Sequence, residues 1–176
     1  MKRGASISEL LHPLDPCGSS QCFLSDFVQV ADILEWIVDQ VGECSVVQSS
    51  FSVSDEFLRR LFFIRKKGKI VHYRMILDHK ATNKTIKLWP FVTNVVEECL
   101  LADNHSKVMI VSPLNKAVKG VVVISSQNLT RGNRFESSLV SNDPSVFNSI
   151  SADVADMALN HSVPLHELFA GLIDSD

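Results

Sequence analysis

Two stretches decide the predicted fold: NHSKVMIV (104–111) and VVVISSQNLTRGNRFESSLV (121–140). Each is an apolar run with polar residues at its edges, which is typical of a strand buried in a sheet. His105 and Lys107 are two residues apart, so in an extended segment their side chains share one face. Such a pair can meet one phosphate group, with lysine as a point charge and histidine as nucleophile or proton carrier.

The second stretch adds three polar side chains of different chemistry. Ser126 contributes a hydroxyl, Asn128 a carboxamide and Glu136 a carboxylate. These groups can orient the imidazole and hold the remaining phosphate oxygens. The two stretches together therefore predict phosphate chemistry centred on His105 and Lys107.

With these residues the chain resembles the phospholipase D superfamily. The family signature is His-x-Lys, an Asp five residues after the lysine, a Gly-Ser-x-Asn segment and a later Glu. Here HSK (105–107) matches the first part, SSQN (125–128) matches the second, and Glu136 matches the trailing acid. Two positions depart from the signature: Ser112 stands at the Asp position and Ser125 at the Gly position. Some active branches of the family also lack the Asp.

The resemblance implies a phosphodiesterase, nuclease-like, that needs no metal and no cofactor. One His105 would attack phosphorus and form a phosphohistidine, and His105 of a second subunit would protonate the leaving oxygen. Lys107 and Asn128 would hold the nonbridging oxygens. Glu136, with Ser126 beside it, would hydrogen-bond the imidazole and raise its basicity. Because the chain carries one His-x-Lys motif where the family needs two, the resemblance implies a homodimer with the site on the two-fold axis.

Basic residues point to a polyanionic partner. Arg131 and Arg134 flank Gly132 in the loop after Asn128 and are predicted to bind substrate phosphate. Between residues 57 and 87, where Asp78 is the single acid, lie ten basic residues: Arg59, Arg60, Arg65, Lys66, Lys67, Lys69, Arg74, Lys80, Lys84 and Lys87. The block fits nucleic acid or an anionic lipid surface. The alternative is that it forms the solvated outer faces of a helix and a strand.

Length and composition fit one domain. The chain has 176 residues, of which 45% are hydrophobic and 21% charged, enough to bury a sizeable core. No segment approaches the ~20 apolar residues of a membrane span, so no integral membrane segment is expected. The N-terminus lacks a continuous apolar region, so no secretory signal is expected. The four cysteines contain no CxxC, which favours reduced thiols in a cytoplasmic protein, with a Cys17–Cys22 bridge in a secreted form as the alternative.

Hydrophobic periodicity predicts alternating helices and strands. The predicted helices cover 25–41, 54–67, 83–96 (with Pro90 breaking or kinking it) and 144–159. The predicted strands cover 44–53, 69–78, 99–102, 106–111, 119–125 and 137–141. This order predicts an α/β protein, a phospholipase D-like α/β sandwich whose mixed β-sheet is flanked by helices. The predicted organisation is an irregular N-terminal arm (1–24), the phospholipase D-like domain (25–160) and a C-terminal tail (161–176), for which a helix is one possibility.

Three functions stay open at this point. The first is a nuclease-like phosphodiesterase, favoured by the basic block and the single motif. The second is a lipid-directed hydrolase of the same fold, which would need an exposed apolar rim or an amphipathic helix near the site. The third is a phosphate or nucleic-acid binding module without activity, favoured by Ser112 and Ser125, since a serine side chain can crowd the phosphate where glycine would not.

Overall fold

The computed structural model describes residues 6–130, 132 and 134–167, with the side chains of 81–86 outside the description. Its strands are β1 (Ser20–Ser25), β2 (Cys44–Ser50), β3 (Ile70–Asp78), β4 (Glu98–Ala102), β5 (Val108–Pro113), β6 (Val121–Ser125), β7 (Glu136–Ser141) and β8 (Ser162–Pro164). Its α-helices are α1 (Val30–Val41), α2 (Asp55–Lys66), α3 (Thr82–Val95) and α4 (Pro144–Asn160). In the described part of the chain, no helix is both long enough and apolar enough to cross a bilayer.

All these strands form one mixed sheet, in the order β1-β7-β6-β5-β2-β3-β4-β8. β2, β3 and β4 are parallel neighbours, and the other pairings are antiparallel. The predicted α/β sandwich with a mixed sheet is therefore confirmed. The parallel strands end at the same edge of the sheet, and in open α/β sheets ligands bind at this carboxyl edge.

Helices cover both faces of the sheet and bury two apolar clusters. α1, α2 and α3 cover the larger cluster, to which α1 contributes Ile33, Leu34 and Ile37 at helical spacing. α4 covers the smaller cluster through Val154 and Phe147. Odd-numbered residues of β5 belong to the first cluster and even-numbered residues to the second, as strand alternation requires.

Local signals explain most helix boundaries. Gly42 follows α1 with a φ of 76°, a conformation that glycine adopts without strain. The predicted N-cap Ser54 accepts a hydrogen bond from the Phe57 N–H at the start of α2. Pro90 lies inside α3, which nevertheless runs unbroken from Thr82 to Val95. Proline removes one helical hydrogen bond, but Val92 and Val95 stay buried in the larger cluster and hold the helix against the sheet. The expected break is therefore absent.

Several sequence predictions need correction. Ser20–Ser25, predicted as part of the irregular arm, forms β1, which pairs with β7 at the edge of the sheet. The first predicted helix starts at Val30 instead of residue 25, because the Ser25 hydroxyl accepts the N–H groups of Phe27 and Val28 and forms a turn there. In the C-terminal tail, Ser162–Pro164 forms β8 against β4, and residues 168–176 lie outside the description.

Gly120 provides a test of the packing under α4. A Cβ added at this position would lie 2.3 Å from two ring atoms of Phe147, far inside van der Waals contact. We expect Gly120→Ala to lower the free energy of unfolding by about 1–3 kcal/mol, because Phe147 packs in the smaller cluster and would have to shift. Urea denaturation measures the change. Gly132→Ala is the control, since its Cβ would have no atom within 4 Å, and equal stabilities for the two variants would contradict the packing.

Candidate active site

The His-x-Lys residues lie just beyond the carboxyl end of β4. Residues 104–107 connect β4 to β5 without strand structure, so the motif strand begins at Val108 instead of residue 106. The His105 side chain is exposed, and its ring packs against Phe51 with the ring centroids 5.2 Å apart. The Lys107 Nζ lies 3.2 Å from His105 Nδ1 and donates to the His105 carbonyl oxygen at 2.8 Å. The imidazole and the ammonium group therefore meet at one exposed point.

The end of β6 lies beside this pair. The Ser125 N–H donates to the Lys107 carbonyl oxygen at 2.9 Å. One residue later, the Ser126 hydroxyl donates to the Glu136 carboxylate and accepts the Ser137 N–H at 3.1 Å. Ser126 and Glu136 thus form a hydrogen-bonded pair across β6 and β7.

Glu136 has a different partner from the one expected. The resemblance to the phospholipase D superfamily implies a hydrogen bond between its carboxylate and the His105 ring. Among the hydrogen bonds of the described residues none joins these two side chains, and Glu136 accepts from Ser126 instead. The contacts that hold the His105 ring come from Phe51 and Lys107.

Asn128, the predicted amide of the site, follows β6 by three residues. It lines a recess with Gln29, just before α1, and with Arg60 in the middle of α2, and its Oδ1 is buried without a partner in the described part of the chain. The backbone of the next residue fixes this position: the Leu129 N–H donates to Ser52 O at 3.1 Å. The Leu129 carbonyl also accepts the Ser54 N–H at 2.9 Å.

Of the two predicted substrate-binding arginines, one is described. Arg134 is exposed, as a residue that meets substrate phosphate would be. Arg131 lies outside the described residues. Between them, the Gly132 carbonyl oxygen accepts from Gln29 Nε2 at 3.1 Å, which ties this loop to the start of α1.

Ser112, at the signature Asp position, lies far from the site. It is five residues beyond Lys107 along β5, which corresponds to roughly 16 Å of extended chain. As an even-numbered residue of β5 it is on the α4 face of the sheet, whereas Lys107 borders a recess with Met109 of the opposite face. Ser112 therefore cannot touch a phosphate held by Lys107.

Ser125, at the signature Gly position, uses its hydroxyl inside the protein. Its Oγ lies 2.9 Å from Ser138 Oγ and accepts the Gln127 N–H at 3.0 Å. A serine whose oxygen accepts the N–H two residues later stabilises a tight turn. The side chain thus shapes the turn that leads to Asn128.

The basic block is largely neutralised by acidic residues from other parts of the chain. Seven of its ten residues form ion pairs: Arg59–Asp55, Arg60–Asp32, Arg65–Glu97, Lys67–Glu35, Lys69–Asp39, Arg74–Glu98 and Lys80–Asp103. Lys66 lies over the Phe62 ring, 4.6 Å from its centroid. The concentrated positive field expected from the sequence is therefore much reduced, since adjacent opposite charges cancel at a distance.

An apolar groove that the sequence reasoning missed lies next to Ser126. It has a volume of about 700 Å³ and is lined by residues of the neighbouring strands β1, β7 and β6 and by the residue after β6: Cys22, Phe23, Leu24, Ile124, Ser125, Ser126, Ser137, Ser138 and Leu139. Leu24 is 63% exposed, and Phe135, two residues before Ser137 of this groove, is 69% exposed. The apolar residues Cys22, Phe23 and Leu24 are the local signal for this groove, but they do not alternate with polar residues as a half-buried strand would.

The two buried cysteines offer no competing nucleophile. Cys44 and Cys99 are buried, and burial raises their thiol pKa values to about 11 and about 12. Both are therefore protonated near neutral pH. Cys17 and Cys22 are exposed and free, not bridged to each other. In the described part of the chain, no three His, Cys, Asp or Glu side chains are grouped as metal ligands would be.

Comparison with known proteins gives a match in structure alone. No protein-family model matches the sequence, and no curated protein matches it. The chain is similar to the phospholipase D family member Nuc from Salmonella typhimurium (TM-score 0.63, 19% identity, 84% of this chain and 97% of Nuc). It is also similar to NucT from Helicobacter pylori (TM-score 0.59, 15% identity, 84% of this chain and 99% of NucT). A third match is phosphatidylserine synthase from Haemophilus influenzae Rd KW20 (TM-score 0.58, 12% identity, 86% of this chain and 41% of the synthase). These matches confirm the predicted phospholipase D-like fold.

Proposed function

We propose that this chain, with its phospholipase D fold, is a phosphodiesterase that works through His105. The observation that carries the proposal is the His105–Lys107 pair, exposed at the carboxyl edge of the parallel strands with 3.2 Å between Lys107 Nζ and His105 Nδ1. A nucleophile beside a fixed positive charge matches the needs of phosphoryl transfer, where negative charge on the oxygens must be stabilised.

The proposed reaction has two displacements. A neutral ring nitrogen of His105 attacks phosphorus, the bond to the leaving oxygen breaks, and that oxygen takes a proton from a second acid. Water then attacks the phosphohistidine, gives a proton to the same second group and releases a phosphomonoester and free His105. Lys107 stabilises the nonbridging oxygens in both steps. Arg131 and Arg134 are proposed to bind the phosphate groups that flank the scissile one.

The second acid is proposed to be His105 of a second copy. One chain supplies one His-x-Lys pair, but the two displacements need two groups that exchange protons with substrate. The exposed side chains of Leu24 and Phe135 support a contact between copies near Ser126 and Glu136, since large exposed apolar groups favour association. A two-fold axis beside the motif would bring two copies of His105 to one phosphate.

Two substrate classes follow from different observations. A nucleic acid is the first, supported by the names Nuc and NucT of two matching structures and by the exposed Arg134. The second is a phospholipid, favoured by the apolar groove and by the match to a phosphatidylserine synthase.

The free cysteines fit a reducing compartment, which supports a cytoplasmic location.

The first test is hydrolysis in excess EDTA. We expect cleavage of single-stranded DNA, double-stranded DNA or phosphatidylcholine vesicles at a rate that the chelator leaves unchanged, because histidine and lysine supply the chemistry. Cleavage that stops with EDTA and returns with Mg²⁺ would contradict the proposed mechanism. Salt-sensitive DNA binding without any cleavage would instead support the binding module, since phosphate contacts weaken as salt rises.

A further inference from the structure

We propose that Asn104, anchored by the buried carboxylate of Asp78, is the residue that positions His105 for reaction. The inference rests on the proposed function, in which His105 attacks phosphorus. Residues 104–107 have no strand structure, so side-chain hydrogen bonds help the Ser125–Lys107 backbone bond to hold the segment that carries the imidazole.

Asp78 fixes the start of this segment. It ends β3, is 2% exposed, and accepts the Asn104 N–H at 2.9 Å through Oδ2. Its Oδ1 accepts the Lys80 N–H at 2.7 Å. Hydrogen bonds to an ionised, buried carboxylate are among the stronger ones in proteins. The backbone of Asn104 is therefore tied to the end of the central sheet.

The side chain of Asn104 fixes the residue on the other side of His105. Its Oδ1 accepts both the N–H of Ser106 at 2.8 Å and the hydroxyl of Ser106 at 2.6 Å. The Ser106 hydroxyl also lies 2.7 Å from that of Ser49, a residue of β2 that is 1% exposed. The backbone of His105 is thus held from both neighbours, although its own ring is exposed.

The choice of asparagine here is costly for stability. Its Nδ2 is buried and has no partner among the described residues, and such donors lower stability. An aspartate would offer the same acceptor without the unpaired donor, but it would place a second buried carboxylate next to Asp78, where the two charges repel. A neutral acceptor of this length therefore fits the requirement to bind Ser106 beside a buried charge.

The kinetic test compares Asn104→Ala with a matched control. We expect kcat to fall about 10- to 100-fold with little change in KM, because small displacements of an attacking group are costly. Asn142→Ala is the control: Asn142 is 3% exposed, accepts the Ser19 N–H at 2.9 Å and donates to the Asp15 carbonyl at 2.6 Å. It should lose stability but keep kcat. Equal kcat losses for the two variants would overturn the inference.

A second readout does not depend on activity. The ring of His105 packs on Phe51, so the wild type should give a nuclear Overhauser effect between the two rings. Asn104→Ala should weaken it, and Asn142→Ala should not. If Asn104→Ala does not fold, Ser106→Ala removes the hydroxyl contacts alone and should show a smaller loss of the same signal. An unchanged ring contact in the folded variant overturns the inference, whereas absent turnover in the wild type overturns the proposed function only.

Discussion

His105→Ala is expected to abolish phosphodiester hydrolysis, with a fall in kcat of about 10⁴-fold or more, as nucleophile removal does in other covalent mechanisms. Alanine has no nitrogen to attack phosphorus, so no phosphohistidine can form. Steady-state hydrolysis in excess EDTA measures the loss. The fold should be unaffected, because the His105 side chain is exposed and packs on the surface against Phe51 beside Lys107.

The matched control is His161→Ala. His161 is also exposed, but it caps the end of α4 and pairs with Asp156 at 3.4 Å. Its removal should leave hydrolysis unchanged. A trapped covalent intermediate gives a second check, with a substrate labelled at its phosphate. The wild-type protein should keep the label when turnover is quenched with alkali and lose it when quenched with acid, because phosphohistidine is acid-labile. His105→Ala with wild-type turnover would refute histidine chemistry at this motif.

Features with a local signal could be predicted from the sequence. The apolar spacing of α1 and the Ser54 cap of α2 are both present as expected. The proximity of His105 and Lys107 was predictable from their spacing of two residues, although the strand expected to carry them begins only at Val108. The order of helices and strands then sufficed for the α/β class.

Features that depend on residues distant in sequence could not be predicted. Lys67 pairs with Glu35, and Arg65 with Glu97, each across about thirty residues, so the basic block looked uncompensated in the sequence. β1 is an edge strand with weak alternation, and its hydrogen bonds to β7 decide its structure. Such pairings follow from the tertiary fold, which local patterns do not encode.

The neighbours of the site residues depend on tertiary contacts in the same way. Asn128 is predicted beside the phosphate from its place in the signature, and its surroundings are set by Leu129, whose backbone hydrogen-bonds to Ser52 and Ser54, and by the recess that it lines with Arg60. Arg60 itself pairs with Asp32 at 2.8 Å. Whether Asn128 acts in catalysis therefore stays a prediction, and Asn128→Ala tested beside His105→Ala would decide it.

Lys107→Ala is expected to lower kcat by about 10²- to 10³-fold, because the ammonium group stabilises charge that develops on the nonbridging oxygens. Part of the loss has a second origin. Lys107 also donates to the His105 carbonyl at 2.8 Å, so its removal loosens the segment that carries the nucleophile. Lys107→Arg keeps the charge but spreads it over a planar guanidinium, which cannot occupy the same point beside the imidazole, so it should recover activity only in part.

Lys116→Ala separates these effects from a general loss of positive charge. Lys116 is an exposed lysine in the loop between β5 and β6, and its removal changes the net charge by the same amount. We expect it to retain wild-type kcat. Added methylammonium should partly restore Lys107→Ala, because a small cation can enter the space left by the side chain, and it should not restore His105→Ala. Equal activity of Lys107→Ala and Lys116→Ala would show that the phosphate binds elsewhere. A cation 3.2 Å from the attacking nitrogen must interact strongly with the charge of a phosphate that His105 attacks.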